Sequence, residues 1–302
     1  MSDFVPATDG STQDGTPPNG VLRIAVPNKG LLAEPTAAML REAGYRQRAE
    51  GGRELVLRDP DNSAEFFFLR PRDIAVYVGS GTLEVGVTGR DLLLDSGAPV
   101  EEMLPLGFGS STFRFAARPG TAHDIRGFAG LRVATSYPGL LSKYLAELGI
   151  DAEVIRLDGA VETAVQLGVA DVVADVVSTG TTLKQAGLEL VGEPIMTSEA
   201  ILVTRAGDKP SAAVLQLVRR LQGVLVARRY VMMDYDIRVE RVDEACAITP
   251  GIESPTVSPL HREGWVAVRA MVPRAEAQRI MDALWEIGAR AIFVTDILAC
   301  RL

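Results

Sequence analysis

Residues 171–183, DVVADVVSTGTTL, run from an apolar stretch into Ser178-Thr179-Gly180-Thr181-Thr182 and on into a helical segment. Small hydroxyl residues around one glycine let successive backbone N–H groups converge on an anion. The start of the following helix adds its partial positive charge. The segment reads as a phosphate cradle, but not as a Walker loop, because it has no Gly-Lys-Ser/Thr. Asp175 precedes the cradle on the expected strand. A carboxylate there repels phosphate and suits the vicinal hydroxyls of a ribose whose 5-phosphate lies in the loop. The competing reading is a plain helix cap, which needs one hydroxyl rather than four. In LDGAVE (157–162), Asp158-Gly159 ends a strand and opens a helix carrying Glu162. Either Asp158 caps that helix and Glu162 is a solvated first-turn acid, or Glu162 joins Asp175 on the diol.

Cations occur elsewhere. Lys29, Arg70, Arg72 and Arg90 each follow an expected strand, so all four can face one edge of a cleft. Lys29 lies in a turn, where a flexible point charge meets a phosphate. Each arginine equally fits a solvated surface charge, and Asp91 a helix-start residue. The ring of Tyr137, in TSYP, either stacks on a base or packs against its own lobe.

These residues need strands that end together. VLRIAV (21–26) is a strand, followed by a Pro-Asn-Lys-Gly turn and a helix over 32–43. Residues 54–59 and 65–70 form two strands around Pro60-Asp61-Asn62, and 72–78 a helix. LEVGVTG (83–89) is a strand entering the helix of RDLLLDSG. Strands alternating with helices predict a mostly parallel sheet, with ligands at its carboxyl ends. LRVATSYPGLL (131–141) echoes VLRIAVPNKGLL (21–32), and ADVVSTGTTL (174–183) echoes LEVGVTGRDLL (83–93), in the same order. The expectation is two α/β lobes like those of periplasmic binding proteins, with a cleft between them. Lobe I takes 21–111 plus 202–229, and lobe II takes 112–201. Residues 211–229 form an amphipathic helix. Residues 230–302 read β-α-β-β-α-β, a ferredoxin-like regulatory domain. Residues 1–20, rich in Gly, Pro, Ser, Thr and Asp, read as a disordered tail. They have no basic or apolar signal region, which points to the cytoplasm.

Composition narrows the chemistry. The chain has 302 residues, 47% hydrophobic and 23% charged, with net charge −8. That excludes wholesale disorder and bulk attraction to nucleic acid. No apolar run reaches the ~20 residues of a membrane span. Cys246 and Cys300 are the only cysteines, far apart, so no disulfide framework is expected. His123 and His261, the only histidines, lie in polar turns. That argues against a histidine zinc site, and no G-x-S-x-G elbow is present.

PNKG, FFFLRPRDIAVYVGSG, VTGRD, LGFGSS, ATSYP, LDGAVE and DVVADVVSTGTTL, in this order, resemble the ATP phosphoribosyltransferases of histidine biosynthesis. With the C-terminal domain, the resemblance is to the long, hexameric form. It covers residues 21–302 and shows no departure within the motifs; the tail has no counterpart. It implies that N1 of ATP attacks C1 of 5-phosphoribosyl 1-pyrophosphate (PRPP), releasing pyrophosphate and forming N1-(5-phospho-β-D-ribosyl)-ATP. Mg²⁺ would be carried mainly by the substrate pyrophosphate. Glu162 and Asp175 would hold the ribose hydroxyls, and Ser178, Thr179, Gly180, Thr181 and Thr182 the 5-phosphate. Lys29, Arg70, Arg90 and Asp91 would face the ATP and pyrophosphate side. Tyr137 would lie near the base or respond to an inhibitor. Asp236, Ile252, Ser254, Thr256 and Ala291 would bind histidine as feedback inhibitor, with AMP as a further ligand and a dimer-to-hexamer assembly. Asp236 and the Ser254–Thr256 stretch also fit an ordinary strand end and edge strand.

Two readings from other classes stand beside the enzyme. A bilobal sensor of a phosphorylated small molecule shares the echo and the cradle, but needs only one ligand. A DNA-binding regulator needs a helix-turn-helix and a basic face, and neither is visible.

Overall fold

Short β-branched and aromatic runs, closed by proline or glycine turns, lay down three sheets, and the helices between them turn apolar faces inward. The computed structural model describes residues 20–49, 52–177 and 180–301. The expected tail up to residue 19, and Ser178 and Thr179 of the cradle, lie outside the described residues.

The chain opens with β1 (Leu22–Pro27), α1 (Ala33–Glu42), β2 (Val56–Asp59), β3 (Ala64–Leu69), α2 (Pro71–Gly79), β4 (Val85–Gly89), α3 (Arg90–Ser96) and β5 (Val100–Pro105). It crosses to β6 (Ser111–Ala117), β7 (Arg132–Thr135), α4 (Pro138–Leu148), β8 (Glu153–Arg156), α5 (Glu162–Gln166), β9 (Val172–Val177), α6 (Thr181–Gln185) and β10 (Glu189–Ser198). It returns as β11 (Ala200–Arg205). The first sheet has the order β2-β3-β1-β4-β11-β5 and the second β10-β6-β9-β7-β8.

The internal echo is built into both sheets. β1 lies between β3 and β4, parallel to each, and β4 then meets the antiparallel β11. β7 lies between β8 and β9, parallel to each, and β9 then meets the antiparallel β6. The echoing segments therefore occupy equivalent places, β1 with β7 and β4 with β9. Separate apolar cores back the two sheets. One is built on Ile74, Val78 and Ile201, the other on Phe113, Phe115, Phe128 and Leu141. β5, β6 and β10 are the strands that periodicity did not mark. β5, VEEMLP, is mostly exposed or half-buried, and β10 carries a register shift between Val191 and Met196.

The described residues form two compact units, one within 20–33 and 48–209 and the other within 34–47 and 210–301. Both sheets above belong to the first. The second holds α7 (Ala212–Arg229), β12 (Tyr230–Arg238), α8 (Val242–Ile248), β13 (Thr256–Pro259), β14 (Trp265–Pro273), α9 (Ala277–Glu286) and β15 (Arg290–Asp296). Its sheet order is β13-β14-β12-β15 with every pair antiparallel, which is the ferredoxin-like β-α-β-β-α-β arrangement. Alternate residues of β12, Val231, Met233, Tyr235 and Ile237, fill its core. α7, expected in lobe I, groups here instead, because it runs unbroken into β12 and ties back to the segment after β1. Arg228 pairs with Glu42 at 2.8 Å and Arg220 lies over the Tyr45 ring. Among the described residues no helix is long and apolar enough to cross a membrane.

Candidate active site

The first lobe presents its cations where the sheet register puts them. Pro27 pairs with Leu69, and the Asn28 N–H donates to the Leu69 carbonyl at 2.8 Å. Lys29 and Arg70 thus stand at the carboxyl ends of neighbouring strands, both exposed and neither in an ion pair among the described residues. Beside them the buried side-chain oxygen of Asn28 has no hydrogen-bond partner among the described residues. Such a group carries a desolvation cost unless something donates to it, and sequence reading passed over it.

Arg90 and Asp91 follow β4 at the same edge, but they are engaged. Arg90 grips Glu102 with two N–H groups at 2.8 and 2.9 Å and reaches Glu199 at 3.3 Å. The bond to Glu102 holds its guanidinium still more firmly protonated than usual. Asp91 is buried. It accepts the Ser198 hydroxyl at 2.7 Å, while its own N–H donates to Ser198 Oγ at 3.0 Å. A Cβ at Gly89 would crowd the Asp91 carboxylate, which would have to move from its place against Ser198.

The second lobe supplies the acids and the cradle. Asp175 leaves the apolar run of β9 with its carboxylate half-buried; Oδ1 accepts the Val176 N–H at 2.8 Å and the Ser136 hydroxyl at 3.5 Å. Burial pushes its pKa up to about 6; Glu162 and Asp91 add to this, and the Val176 and Ser136 bonds oppose it. Glu162 opens α5 and lines one pocket of about 130 Å³ with Asp175, Gly180, Thr182 and Leu183. This brings together the two acids and the described part of the cradle, which lay far apart in sequence. Gly180 stands at φ +70°, a left-handed conformation that ordinary side chains avoid, so its glycine is dictated by the backbone. Thr181 and Thr182 are exposed at the start of α6. Asp158 does not cap α5. Val161 holds that position, and the Asp158 side chain is almost wholly solvated because Gly159 and Ala160 turn the chain away at positive φ.

Tyr137 stands between the lobes. Its ring meets Phe113 of its own lobe edge-on at 5.4 Å, and the Arg72 guanidinium of the other lobe covers it at 5.1 Å. Burial, the largest cause, raises its pKa well above the ordinary phenol value, and the nearby Asp91 carboxylate adds to this. The phenol stays a neutral donor. Packing therefore engages the ring on two sides, one of them in the opposite lobe.

In the second unit, Ile252, Ser254 and Thr256 line a cavity of about 360 Å³ with Met232, Arg269 and Met271. Asp236 and Ala291 are outside that lining. Asp236 lies opposite Ala267 and Arg290, and Ala291 sits at φ +50° where β12 and β15 shift register. Arg269, which the sequence did not flag, faces Thr256 on one side and binds Asp234 at 2.6 Å on the other.

Residues 70–223 match the family model described as ATP phosphoribosyltransferase, and residues 227–299 match that of the HisG C-terminal domain. The chain belongs to the ATP phosphoribosyltransferase family. The enzyme of that name from Streptomyces avermitilis is 65% identical over 286 residues, 93% of this chain and 100% of the relative. That from Streptomyces coelicolor is 64% identical over the same shares. A solved ATP phosphoribosyl transferase (HisG:HisZ) complex from Thermotoga maritima aligns with a TM-score of 0.59 at 25% identity, covering 68% of this chain and 98% of that one. In this family member the two acids and the Gly180 turn stand on one sheet, and the exposed Lys29 and Arg70 on the other.

Proposed function

We propose that the transfer this family performs in histidine biosynthesis, from PRPP to N1 of ATP, runs through the cleft residues described above. The observation that carries this assignment is the shared pocket of Glu162, Asp175, Gly180 and Thr182. The 178–182 segment holds the 5-phosphate, and the two carboxylates accept the ribose hydroxyls. The adenine N1 lone pair forms a bond to C1 while the C1–O bond breaks and its electron pair leaves on pyrophosphate. The nucleophile needs no base to create it, so the work is alignment and charge stabilisation. The carboxylates offset positive charge growing at C1, and Lys29 and Arg70 offset negative charge on the polyphosphates. Arg90 and Asp91 shape that edge through the bonds they already make.

A divalent cation goes with this family. The described residues include no cluster of three or more His, Cys, Asp or Glu side chains able to cage one. We assign no step to a protein-held metal; Mg²⁺ would travel on the pyrophosphate and neutralise part of its charge.

Histidine inhibition is assigned to the cavity at Ile252, Ser254 and Thr256. AMP binding, a dimer-to-hexamer assembly and a cytoplasmic setting belong to the same reading. The test is to mix the protein with ATP, PRPP and Mg²⁺ and to follow pyrophosphate together with the ultraviolet change of the adenine. Binding of PRPP without either signal would favour a sensor. Removing residues 230–302 is expected to abolish histidine inhibition, and its persistence in the truncated protein would place the effector elsewhere.

A further inference from the structure

Asp95 is used by no part of the assignment above, yet its carboxylate bridges the two lobes. It lies one helical turn after Asp91 on α3, so both acids share one face of that helix. Its partners lie in both lobes. Oδ1 accepts the N–H groups of Gly139 at 2.9 Å and Leu140 at 3.2 Å, and Oδ2 accepts Arg72 at 2.7 Å.

The two N–H groups are the donors that a helix normally satisfies with its own N-cap side chain. α4 has Tyr137 at that place, with no side-chain cap, and Pro138 behind it. Its missing cap is supplied from the opposite lobe. Gly139 makes this approach possible, because a Cβ there would collide with the backbone oxygen of Asp95. The bridge leads into the cleft, where the Arg72 held by Asp95 covers the Tyr137 ring.

We propose that Asp95 is a positioning residue that caps α4 in trans and so fixes the angle between the lobes. It sets the ATP-side groups, Asp91 and Tyr137 among them, against the ribose held on β9 and α5. This deepens the assignment made above and rests on it for its kinetic consequences only.

In the Asp95→Ala protein, kcat is expected to fall at least about ten-fold, while PRPP affinity by calorimetry stays within about two-fold, because the 5-phosphate and ribose of PRPP are held by one lobe. Asp95→Asn keeps an acceptor for both N–H groups and is expected to restore most of the loss. A distance distribution between spin labels at positions 61 and 151, one on each lobe and with Cys246 and Cys300 replaced by serine, should broaden in Asp95→Ala. Gly139→Ala, which leaves the carboxylate in place, should reproduce the kinetic split if Asp95→Ala folds poorly. An unchanged kcat with an unchanged distance distribution would overturn the proposal, as would a loss confined to PRPP affinity or one that Asn does not rescue. If the parent protein makes no product from ATP and PRPP, the functional assignment fails, and the label distances alone still decide the latch.

Discussion

The turns after β4 and β9 occupy the same place in their sheets, and the chain uses them in opposite ways. After β4 comes Thr-Gly-Arg-Asp, after β9 Ser-Thr-Gly-Thr-Thr. In the first, Arg90 and Asp91 are consumed by Glu102, Glu199 and Ser198. In the second, the acid of the strand and Thr182 of the helix line a pocket. Even the glycines differ. Gly89 is extended and only avoids a clash with Asp91, whereas Gly180 adopts a left-handed turn. One strand–turn–helix frame thus binds its charged pair to neighbouring elements in one copy and lines a pocket in the other.

The strongest way to break this contrast is Gly180→Val. The nearest atom to a Cβ there is Val177 Cγ1 at 3.7 Å, so space is available and the backbone conformation carries the cost. Forcing a β-branched residue into that region costs about 1–2 kcal/mol or more, and it distorts the N–H groups meant for phosphate. PRPP affinity by calorimetry should fall at least about 30-fold, the melting temperature far less. Retained affinity would remove the receptor role from this turn.

Asp175→Asn sharpens the same side. Asp175 titrates near 6 in the fold because burial opposes its charge. Its raised pKa means the folded state binds the proton more tightly than the unfolded chain. The ionised carboxylate therefore costs on the order of 2–3 kcal/mol above about pH 6, a cost that fades as pH falls from 6 toward 4. Asp175→Asn should melt higher than the parent at pH 8 and converge with it near pH 4. It should weaken PRPP binding about ten-fold at pH 8, since a neutral amide is a poorer acceptor for the diol than a carboxylate. The parent should lose affinity as pH drops through 6, and the variant should lack that component.

On the other side, Gly89→Ala should push Asp91 off Ser198 and lower stability by about 1–3 kcal/mol in denaturant melts, with PRPP affinity preserved. The smallest effect is expected from Arg90→Met. Its ion pairs are partly solvent-screened, so about 1 kcal/mol of stability should be lost. Lys29→Met, removing an unpaired cation, should leave stability unchanged and raise the KM for ATP several-fold, about 1 kcal/mol of binding. If Arg90→Met harms ATP use more than Lys29→Met, the division between tied and open turns is wrong.

Much of this arrangement is legible in the chain itself. The short apolar runs and their Pro and Gly stops mark β1, β3, β4, β7 and β9, because each is a local pattern. The echo between 21–32 and 131–141 marks the two lobes, and the hydroxyl-rich stretch after Asp175 marks the turn proposed for the phosphate. β5 and β10 are illegible for the opposite reason, since their residues are mixed and their pairing comes from strands distant in sequence. Arg90 illustrates the limit at the site. Its type and place suggest a free cation, and only Glu102 and Glu199, brought in by β5 and the return to β11, occupy it.

The sequence by itself determined the local chemistry: which turn can hold a phosphate, which carboxylates lie at strand ends, and which strands repeat. Tertiary structure alone decided which charged groups stay open and which are spent on each other. It also decided that Asp95 caps a helix 44 residues further along. Composition and periodicity report what a residue can offer, whereas a hydrogen bond or ion pair also needs a partner within about 3 Å, and that proximity is set by how distant segments pack.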